Sequence, residues 1–355
     1  MRPHDRCHRA VPACVLFLMC SAAAIHPDDL YVDSSTGNDS FPGTRLQPLR
    51  TITHALSVSS RDTTIHLAPG IYQRNTGELF PLQLLPGVKL QGEDPSFTVI
   101  RAGVESDVLH LPQNTGPFDS IELRGVQIEN GSAGIRVDAP DFLSLIILTV
   151  HTTIFSNLAT AIATRASAGA ITDITVLDSS FLDSHTGIYT YGTTGYLGLV
   201  RTQSRLHVER SRFSRLRHAL DSSIHEGGFT QIALSDILAT NVDTAIDLTS
   251  TAEDDSPTYG NLHELQITNS TITGGSNIVT GYAYYGGSTT IAIDNSTLRG
   301  GGSLISFTYY CGRYCVTPYI DLTCRDTIMS NSTDSALRGI NRILLDRCIL
   351  HSNNN

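Results

Sequence analysis

The sequence predicts an all-β fold, a right-handed parallel β-helix with an N-terminal capping helix. Three observations support it: an apolar pattern that recurs along most of the chain, a composition suited to short strands and turns, and a first segment outside the repeat. The 355 residues include 29 glycines, 40% are hydrophobic and only 16% are charged. That balance excludes a disordered polymer or a charge-rich helical bundle.

The repeat is defined by seven anchor positions spaced 26 to 33 residues apart. They are Ile128, Phe155, Phe181, Phe213, Ala239, Ile272 and Leu298. The residues seven and five before each anchor, and seven after it, are also apolar, which makes 28 apolar positions. Positions two apart share one face of a strand, so each repeat predicts three short inward-facing strands separated by turns. Stacked units of this kind bury a continuous core.

Less regular coils are predicted on both sides of the repeat. Residues 88–111 suit an earlier, looser coil, and residues 320–328 and 343–349 suit two later coils whose register slips by about one residue. A turn column lies three residues before the anchors: Gly125, Thr152, Asp178, Arg210, Asp236, Asn269 and Asn295. We expect its side chains to form a ladder that stabilises the turns.

The first 24 residues have the features of a secretion signal: a basic head, an apolar stretch from Val11 to Cys20, and three alanines that suit cleavage. Lipid attachment at Cys20 is the less favoured alternative. The predicted organisation is a signal peptide (1–24), an N-terminal cap and lead into the β-helix (25–93), and β-helix coils (94–355). The expected location is secreted, periplasmic or cell-surface, and no transmembrane segment is predicted because no apolar run reaches spanning length.

Residues 30–93 do not follow the repeat. Leu30 to Val32 suit a strand, and the apolar spacing of Pro48 to Val58 suits one amphipathic helix, which would cover the open end of the first coil.

This segment resembles an uncharacterised N-terminal domain family of secreted pectin-lyase-like right-handed parallel β-helix proteins. The resemblance rests on YVDSSTGNDSFPGT, PLRTITHAL, TIHLAPGIY and GELFPLQLLPGVKLQGE. A shorter version of it occurs in family-nine pectate lyases. The resemblance implies the fold but no particular reaction.

Charge excludes one partner class. The chain carries a net charge of −10 at pH 7, which argues against nucleic-acid binding. Its only lysine is Lys89.

Four cysteines lie near the end of the chain: Cys311, Cys315, Cys324 and Cys348. In an exported protein four cysteines predict two disulfides, and the preferred pairing is Cys311–Cys315 with Cys324–Cys348. A zinc site is the less favoured alternative, because the spacing of the four cysteines does not suit one. We expect these bridges to stiffen a last coil that lacks a cover, and the exposed strand edges there to permit end-to-end self-association.

The candidate catalytic residues are Asp221 and Asp247, which occupy one outward column on neighbouring coils, eight residues after their anchors. Two carboxylates so close raise the pKa of at least one of them. Such a pair suits calcium binding or the acid and nucleophile roles of glycoside hydrolysis. The plain alternative is two solvated carboxylates on an acidic protein.

Aromatic side chains accompany this pair. All tyrosines except Tyr31 and Tyr72 lie between a third strand and the next first strand. Among them Tyr189, Tyr191 and Tyr282, together with Arg165, are predicted to bind substrate. Small residues six after the anchors would leave a flat floor beside them: Gly134, Ala161, Gly187, Ala219 and Ala245.

The predicted function is that of a secreted protein that binds or processes a polysaccharide along this tyrosine-lined outer sheet. If it is an enzyme, it is a polysaccharide lyase or a glycoside hydrolase, with calcium as the one candidate cofactor. A lyase with a lysine base is disfavoured because Lys89 lies far from the groove. The alternative is a non-catalytic surface, matrix or adhesin-like structural protein.

Overall fold

The computed structural model describes residues 29–111, 119–140, 144–194, 201–251, 261–284, 287–310, 319–331 and 336–352. These residues form a right-handed parallel β-helix, as predicted. One α-helix, α1 (Ile52–Val58), and one short 3₁₀ helix (Arg74–Thr76) interrupt the strands.

In the first part of the chain the strands are β1 (Asp29–Val32), β2 (Thr64–Leu67), β3 (Gly70–Gln73), β4 (Leu82–Gln83), β5 (Lys89–Gly92), β6 (Thr98–Arg101), β7 (Leu109–Leu111), β8 (Asp119–Arg124), β9 (Gln127–Ala139), β10 (Leu145–His151), β11 (Ile154–Ser167), β12 (Ile171–Leu177), β13 (Ser180–Leu182) and β14 (Thr186–Thr193). In the second part they are β15 (Gln203–Glu209), β16 (Arg212–His225), β17 (Phe229–Ser235), β18 (Leu238–Thr251), β19 (Asn261–Thr268), β20 (Thr271–Tyr284), β21 (Gly287–Asp294), β22 (Thr297–Gly300), β23 (Ile305–Tyr310), β24 (Tyr319–Arg325), β25 (Ile328–Asn331), β26 (Leu337–Arg338), β27 (Arg342–Asp346) and β28 (Ile349–Ser352).

The strands form two parallel sheets. The first sheet has twelve strands in the order β1-β2-β5-β8-β10-β12-β15-β17-β19-β21-β24-β27. The second sheet has 16 strands and contains the remaining segments of the coils, among them β9, β11, β16, β18 and β20. Equivalent residues of successive coils pair directly, as Leu148 with Ile121 and Ile174. Crossovers between parallel strands are right-handed in nearly all proteins, which gives the helix its hand.

The core is the one that the repeat predicts. All 28 apolar positions are buried, none with more than 5% of its surface exposed. Its largest rings are stacked along the axis: the centroids of Phe155 and Phe181 are 5.0 Å apart, and those of Phe181 and Phe213 are 4.6 Å apart. Equivalent residues of successive coils therefore pair through the backbone and also pack their side chains against each other.

The coils differ from the predicted three separate strands. In β9, β11, β16, β18 and β20 the second and third segments form one strand of 13 or 14 residues. The bend between them is made in most coils by one residue with positive φ, two positions after the anchor: Asn130, Asn157, Asp183, Arg215 and Asn241. The left-handed residue turns the chain and is itself left out of the pairing, which resumes at the next residue, as at Leu158 with Gly131.

The predicted turn column is confirmed: its residues form the turns, and several of their side chains bond to the equivalent residue of the next coil. Its members from Gly125 to Asn295 all have φ between +45° and +66°. The amide of Asn295 donates to Oδ1 of Asn269 at 2.9 Å, and Arg210 forms an ion pair with Asp178 at 2.7 Å. These contacts connect neighbouring coils.

A second ladder, not predicted, follows in the next position of each turn. The backbone N–H of Thr153 donates to Oγ of Ser179, and that of Ser179 donates to Oγ of Ser211. Further along, Ile237 N–H donates to Ser270 Oγ and Ser270 N–H donates to Ser296 Oγ. The hydroxyls in turn donate to carbonyls of their own coil, as Ser179 to Leu177. Each hydroxyl thus satisfies two backbone groups that a sharp turn would otherwise leave unpaired.

The last two coils keep the register, which corrects the predicted slip of one residue. Met329 pairs with Leu298 and Leu350 pairs with Met329, so these two residues hold the anchor position. Leu322 and Ile343 lie seven residues before them in the inward column. The neighbouring isoleucines, Ile328 and Ile349, are more apolar than Met329 but face outward, which misled the sequence prediction.

The predicted N-terminal helix is present over Ile52–Val58, and its capping of the first coil remains a prediction. Thr51 is its N-cap and accepts a hydrogen bond from His54 N–H at 3.0 Å. Glu78, 1% exposed, accepts hydrogen bonds from the N–H groups of Ile52 and Thr53. Burial raises the pKa of Glu78, and these hydrogen bonds oppose the rise.

The predicted Cys324–Cys348 disulfide is not formed, and both residues carry free thiols. Cys324 points into the core beneath Ile293, whereas Cys348 lies in the turn ladder, where its Sγ donates to the carbonyl of Asp346. Cys311 and Cys315 lie outside the described residues, as does the predicted signal peptide. Among the described residues, no helix is long and apolar enough to cross a bilayer.

Candidate functional site

The candidate site lies on β16 and β18, in the second sheet. Both strands bend at a left-handed residue, Arg215 and Asn241, and alternate strictly from Leu220 and Ile246 onward. Leu220 and Ile246 point into the core, so Asp221 and Asp247 point out of it. The two aspartates are direct partners in the parallel register, as the sequence predicts. Neighbouring strands lie about 4.8 Å apart, so the two carboxylates stand side by side.

The two carboxyls have different surroundings although they are neighbours. Burial, and after it the charge of Asp247, raises the pKa of Asp221 to about 6. Burial also raises the pKa of Asp247, but hydrogen bonds from Thr280 and from the backbone of Leu248, and the charge of His218, oppose that rise. Both pKa values are therefore raised, but only Asp247 has neighbours that oppose the rise, so its surroundings favour the charged form more than those of Asp221 do.

Two polar atoms at this site are buried and lack a hydrogen-bond partner in the described part of the protein. They are Oδ1 of Asp247 and Nδ1 of His218. Burial lowers the pKa of His218 and the charge of Asp247 opposes that change. A buried polar atom without a partner costs stability, but such atoms also occur elsewhere in the described part of the protein, among them Oγ1 of Thr98 and Oδ1 of Asp321.

The predicted substrate-binding residues occupy the expected columns. Tyr189 pairs directly with Asp221, and burial together with the Asp221 charge raises the pKa of Tyr189. Tyr191 lies two residues further along the strand, with the guanidinium of Arg165 5.5 Å from its ring centre and the ring of His225 5.1 Å away. These residues form one polar and aromatic surface beside the carboxylates.

Tyr282 lies at the other side of the pair. Tyr282 lies on β20, two residues beyond Thr280, the partner of Asp247. It pairs with Thr249 of β18, and 47% of its surface is exposed. Tyr189 and Tyr282 thus flank the carboxylates, while Tyr191 and Arg165 lie one or two strands away from Asp221.

The predicted floor of small residues is wrong. Gly134, Ala161, Ala219 and Ala245 are buried rather than outward, because the strand ladder skips this position and the residues six and seven after the anchor both face inward. A Cβ at Gly187 would lie 2.5 Å from the carbonyl oxygen of Ala219 and 3.0 Å from the Phe213 ring. These positions are small because the aromatic stack and the neighbouring coil leave no space.

A metal at the pair remains a prediction. Asp221 and Asp247 provide two carboxylates, which suit a hard cation such as calcium, but calcium prefers six to eight oxygen ligands. Within the described ranges no group of three or more His, Cys, Asp or Glu side chains is placed to hold a metal ion. Any further ligands would come from backbone carbonyls, substrate or water.

A second cleft, which the sequence analysis missed, lies on the first sheet near the N-terminal end. It encloses about 570 Å³ and is lined by Tyr31, His66, Gln91 and Arg124 from one outward column, with Arg45 at its rim. The rings of Tyr31 and His66 stack at 4.7 Å, and His66 Nε2 lies 2.8 Å from Asp29 Oδ1. The cleft arises because Tyr31 and Val32 of β1 pair with His66 and Leu67 of β2. These residues are far apart in the sequence, since a loop and α1 lie between the two strands, so the pairing is not evident from the sequence.

The raised pKa of Asp221 predicts how stability depends on pH. The folded state keeps this proton up to about pH 6, whereas the unfolded chain releases it near 3.9. The unfolded state therefore binds fewer protons in that interval, and stability falls by about 2 kcal/mol as the pH rises from 4 to 6, out of about 3 kcal/mol over the whole titration. Denaturant unfolding should show Asp221→Asn to be more stable than the wild type at pH 7, with this part of the pH dependence absent.

Asp243→Asn on the same strand is the matched control, because Asp243 is exposed. It should follow the wild-type profile. If Asp221→Asn lowers stability at pH 7 as much as at pH 4, the carboxyl is not destabilised by burial.

Comparison with known proteins agrees with the predicted resemblance. Residues 35–192 match the model of a family described as a protein of unknown function (DUF1565). The match includes Arg165, Tyr189 and Tyr191 and ends before Asp221. No curated protein matches the chain.

Solved structures with a similar fold include a rhamnogalacturonan lyase (13% identity, 89% of this chain and 84% of that chain, TM-score 0.49) and the pectate lyase Pel9A (14%, 89% and 78%, 0.48). The family 28 exopolygalacturonase of Yersinia enterocolitica is another (10%, 92% and 78%, 0.45). At these identities and scores the likeness says nothing about the chemistry of this chain, and the β-helix assignment rests on its own strand pairing.

Proposed function

We propose that the protein hydrolyses a polysaccharide at the Asp221–Asp247 pair, with Asp221 as the general acid and Asp247 as the nucleophile. The observation that carries the proposal is the direct pairing of two half-buried carboxyls, of which only Asp247 has hydrogen bonds and a nearby histidine that favour its charged form. Retaining glycosidases hold their two carboxyls about 5–5.5 Å apart, close to the distance between neighbouring strands.

The chemistry follows from these positions. Asp221 would protonate the glycosidic oxygen while Asp247 attacks the anomeric carbon, and water would then release the glycosyl group with Asp221 as the base. Tyr189 and Tyr282 on either side suit the apolar faces of sugar rings, and their hydroxyls suit the ring substituents. Arg165, exposed over Tyr191, suits an acidic or hydroxyl group of the glycan.

A lyase with a lysine base finds no support at this site. Lys89, the only lysine, is exposed on β5 of the first sheet, where it pairs with Thr64 and Glu122. We infer that the protein works outside the cytoplasm, in the secreted, periplasmic or cell-surface location that the first 24 residues predict.

The experiment is a product assay on the full chain with acidic and neutral polysaccharides, with and without calcium. We expect new reducing ends, no unsaturated products, and retention of anomeric configuration by NMR. Inversion or unsaturated products would refute the assigned roles. An activity that requires calcium would assign the pair to metal binding instead.

The second candidate is a non-catalytic structural or adhesin-like protein. It is favoured by the carboxylates of residues 30–93, which accept hydrogen bonds from the backbone. Asp33 accepts hydrogen bonds within its own turn, Asp39 accepts from the backbone of Arg50 and Thr51, and Glu78 from the first turn of α1. These three residues therefore serve structure. Glycan binding without turnover across the whole panel would favour this candidate.

A further inference from the structure

The last coil exposes part of the hydrophobic core. Ile343 and Leu345 of β27 continue the inward columns of Leu322 and Cys324, yet 45% and 38% of their surfaces are exposed. Leu344, on the outward face, is 59% exposed. In the part of the chain that the structure describes, β27 has one hydrogen-bonded neighbour, β24, so its other edge presents unpaired backbone groups.

The sequence of this strand is complementary to itself. β27 reads Arg-Ile-Leu-Leu-Asp from Arg342 to Asp346. In an antiparallel pair of two copies centred on Leu344, each Arg342 faces Asp346 of the other copy, and each Ile343 faces Leu345. The central position pairs with itself. Opposite charges and apolar pairs that face each other across strands each stabilise a sheet.

We propose that two copies of this chain associate end to end through β27, antiparallel and in this register, about a twofold axis at Leu344. A twofold interface uses the same patch on both copies, which is what a self-complementary strand provides. Neighbouring β28 adds Ile349 and Leu350, which are 49% and 44% exposed, to the same end of the molecule.

The charged ends of the strand already take part in ion pairs that the association would extend. Arg342 contacts Asp321 at 2.9 Å, and Asp346 contacts Arg347 at 3.0 Å. Both remain accessible, since the side chains of Arg342 and Asp346 are 69% and 49% exposed. Because both side chains already take part in ion pairs, association would add a further charged partner to each and would not bury two unpaired charges.

Among the described residues, the opposite end of the β-helix does not expose its core in the same way. In β1 the inward residues Leu30 and Val32 are each only 1% exposed. A head-to-tail contact would therefore place the exposed face of β27 against an end whose inward side chains are buried. It would also leave free ends and extend into longer chains, whereas a twofold contact closes at two copies.

The test is sedimentation velocity of the full chain over a concentration series. We expect a reversible monomer–dimer equilibrium with no larger species. Leu344→Asp places two carboxylates on the axis and should weaken dimerisation at least tenfold. Leu46→Asp, at a residue 94% exposed in the N-terminal part, is the matched control and should leave it unchanged.

A charge exchange tests the register. Asp346→Arg alone should weaken the dimer, and Arg342→Asp combined with Asp346→Arg should restore it, because the antiparallel register pairs these two positions. Thermal unfolding and circular dichroism would confirm that each variant is folded. A strictly monomeric protein, an open series of oligomers, or a dimer insensitive to Leu344→Asp would overturn the proposal.

Discussion

Replacement of Phe181 by alanine is expected to lower the free energy of unfolding by about 3–5 kcal/mol. Phe181 is fully buried, and its ring lies between those of Phe155 and Phe213 with interplanar angles of 7° and 3°. Alanine would remove both ring contacts and leave a cavity in three successive coils. The neighbouring backbone is fixed by parallel pairing on both sides, so it cannot close over the space.

Denaturant unfolding followed by circular dichroism measures this effect. Phe97→Ala is the control, because Phe97 is 65% exposed and surface substitutions usually change stability by less than about 0.5 kcal/mol. Similar losses for the two variants would show that the stacked rings are not a main source of stability. A loss much above 5 kcal/mol would indicate that the stack also holds neighbouring coils in register.

Replacement of Asp247 by asparagine is expected to reduce hydrolysis by at least 10²–10⁴-fold, with substrate binding largely kept. Asparagine is nearly the same size but cannot act as the nucleophile, and groups of this kind contribute factors of that order or more. Removal of the Asp247 charge should also lower the pKa of Asp221, because that charge helps to raise it. Any residual activity should therefore lose its acid form at a lower pH than in the wild type.

The measurement is the dependence of kcat and KM on pH for the wild type, Asp221→Asn and Asp247→Asn. In the wild type, activity should fall as the pH rises through about 6, where Asp221 loses its proton. Asp243→Asn, exposed on the same strand, should retain wild-type kinetics. Full activity in Asp247→Asn would remove the pair from the mechanism and leave the structural candidate.

The sequence was a good guide wherever one coil repeats the next. Since equivalent residues of stacked coils pair directly, an apolar column predicts a core column, and two aspartates eight residues after their anchors predict a direct pair. The same logic extends to the turn column, where asparagine and aspartate tolerate the left-handed conformation.

Features that depend on the shape of a coil were not accessible in this way. The residues six and seven after the anchor both face inward, so Gly187, which the sequence predicts in an outward floor, is buried against Phe213. The different surroundings of Asp221 and Asp247 arise from Thr280 on another coil, and the cleft at Tyr31 and His66 joins segments separated by a helix. Nor does cysteine spacing reveal that Cys324 points inward while Cys348 lies in a turn.

The hydroxyl ladder of the turns has a consequence for how the molecule opens. In the coil of Ile237 the ladder position carries no hydroxyl, so the amide of the preceding coil finds no side-chain acceptor there. The series from Thr153 to Ser211 is thereby separated from the series that begins at Ser270. In a stacked repeat, the free energy of unfolding is approximately the sum of the intrinsic stability of each coil and the interaction energy between neighbouring coils. Where that interaction is weaker, local opening is easier. We therefore expect the amide of Ser211 to be less protected against hydrogen exchange than the amides of Ser179 and Ser270, although β16 and β18 pair along the strands that follow this turn.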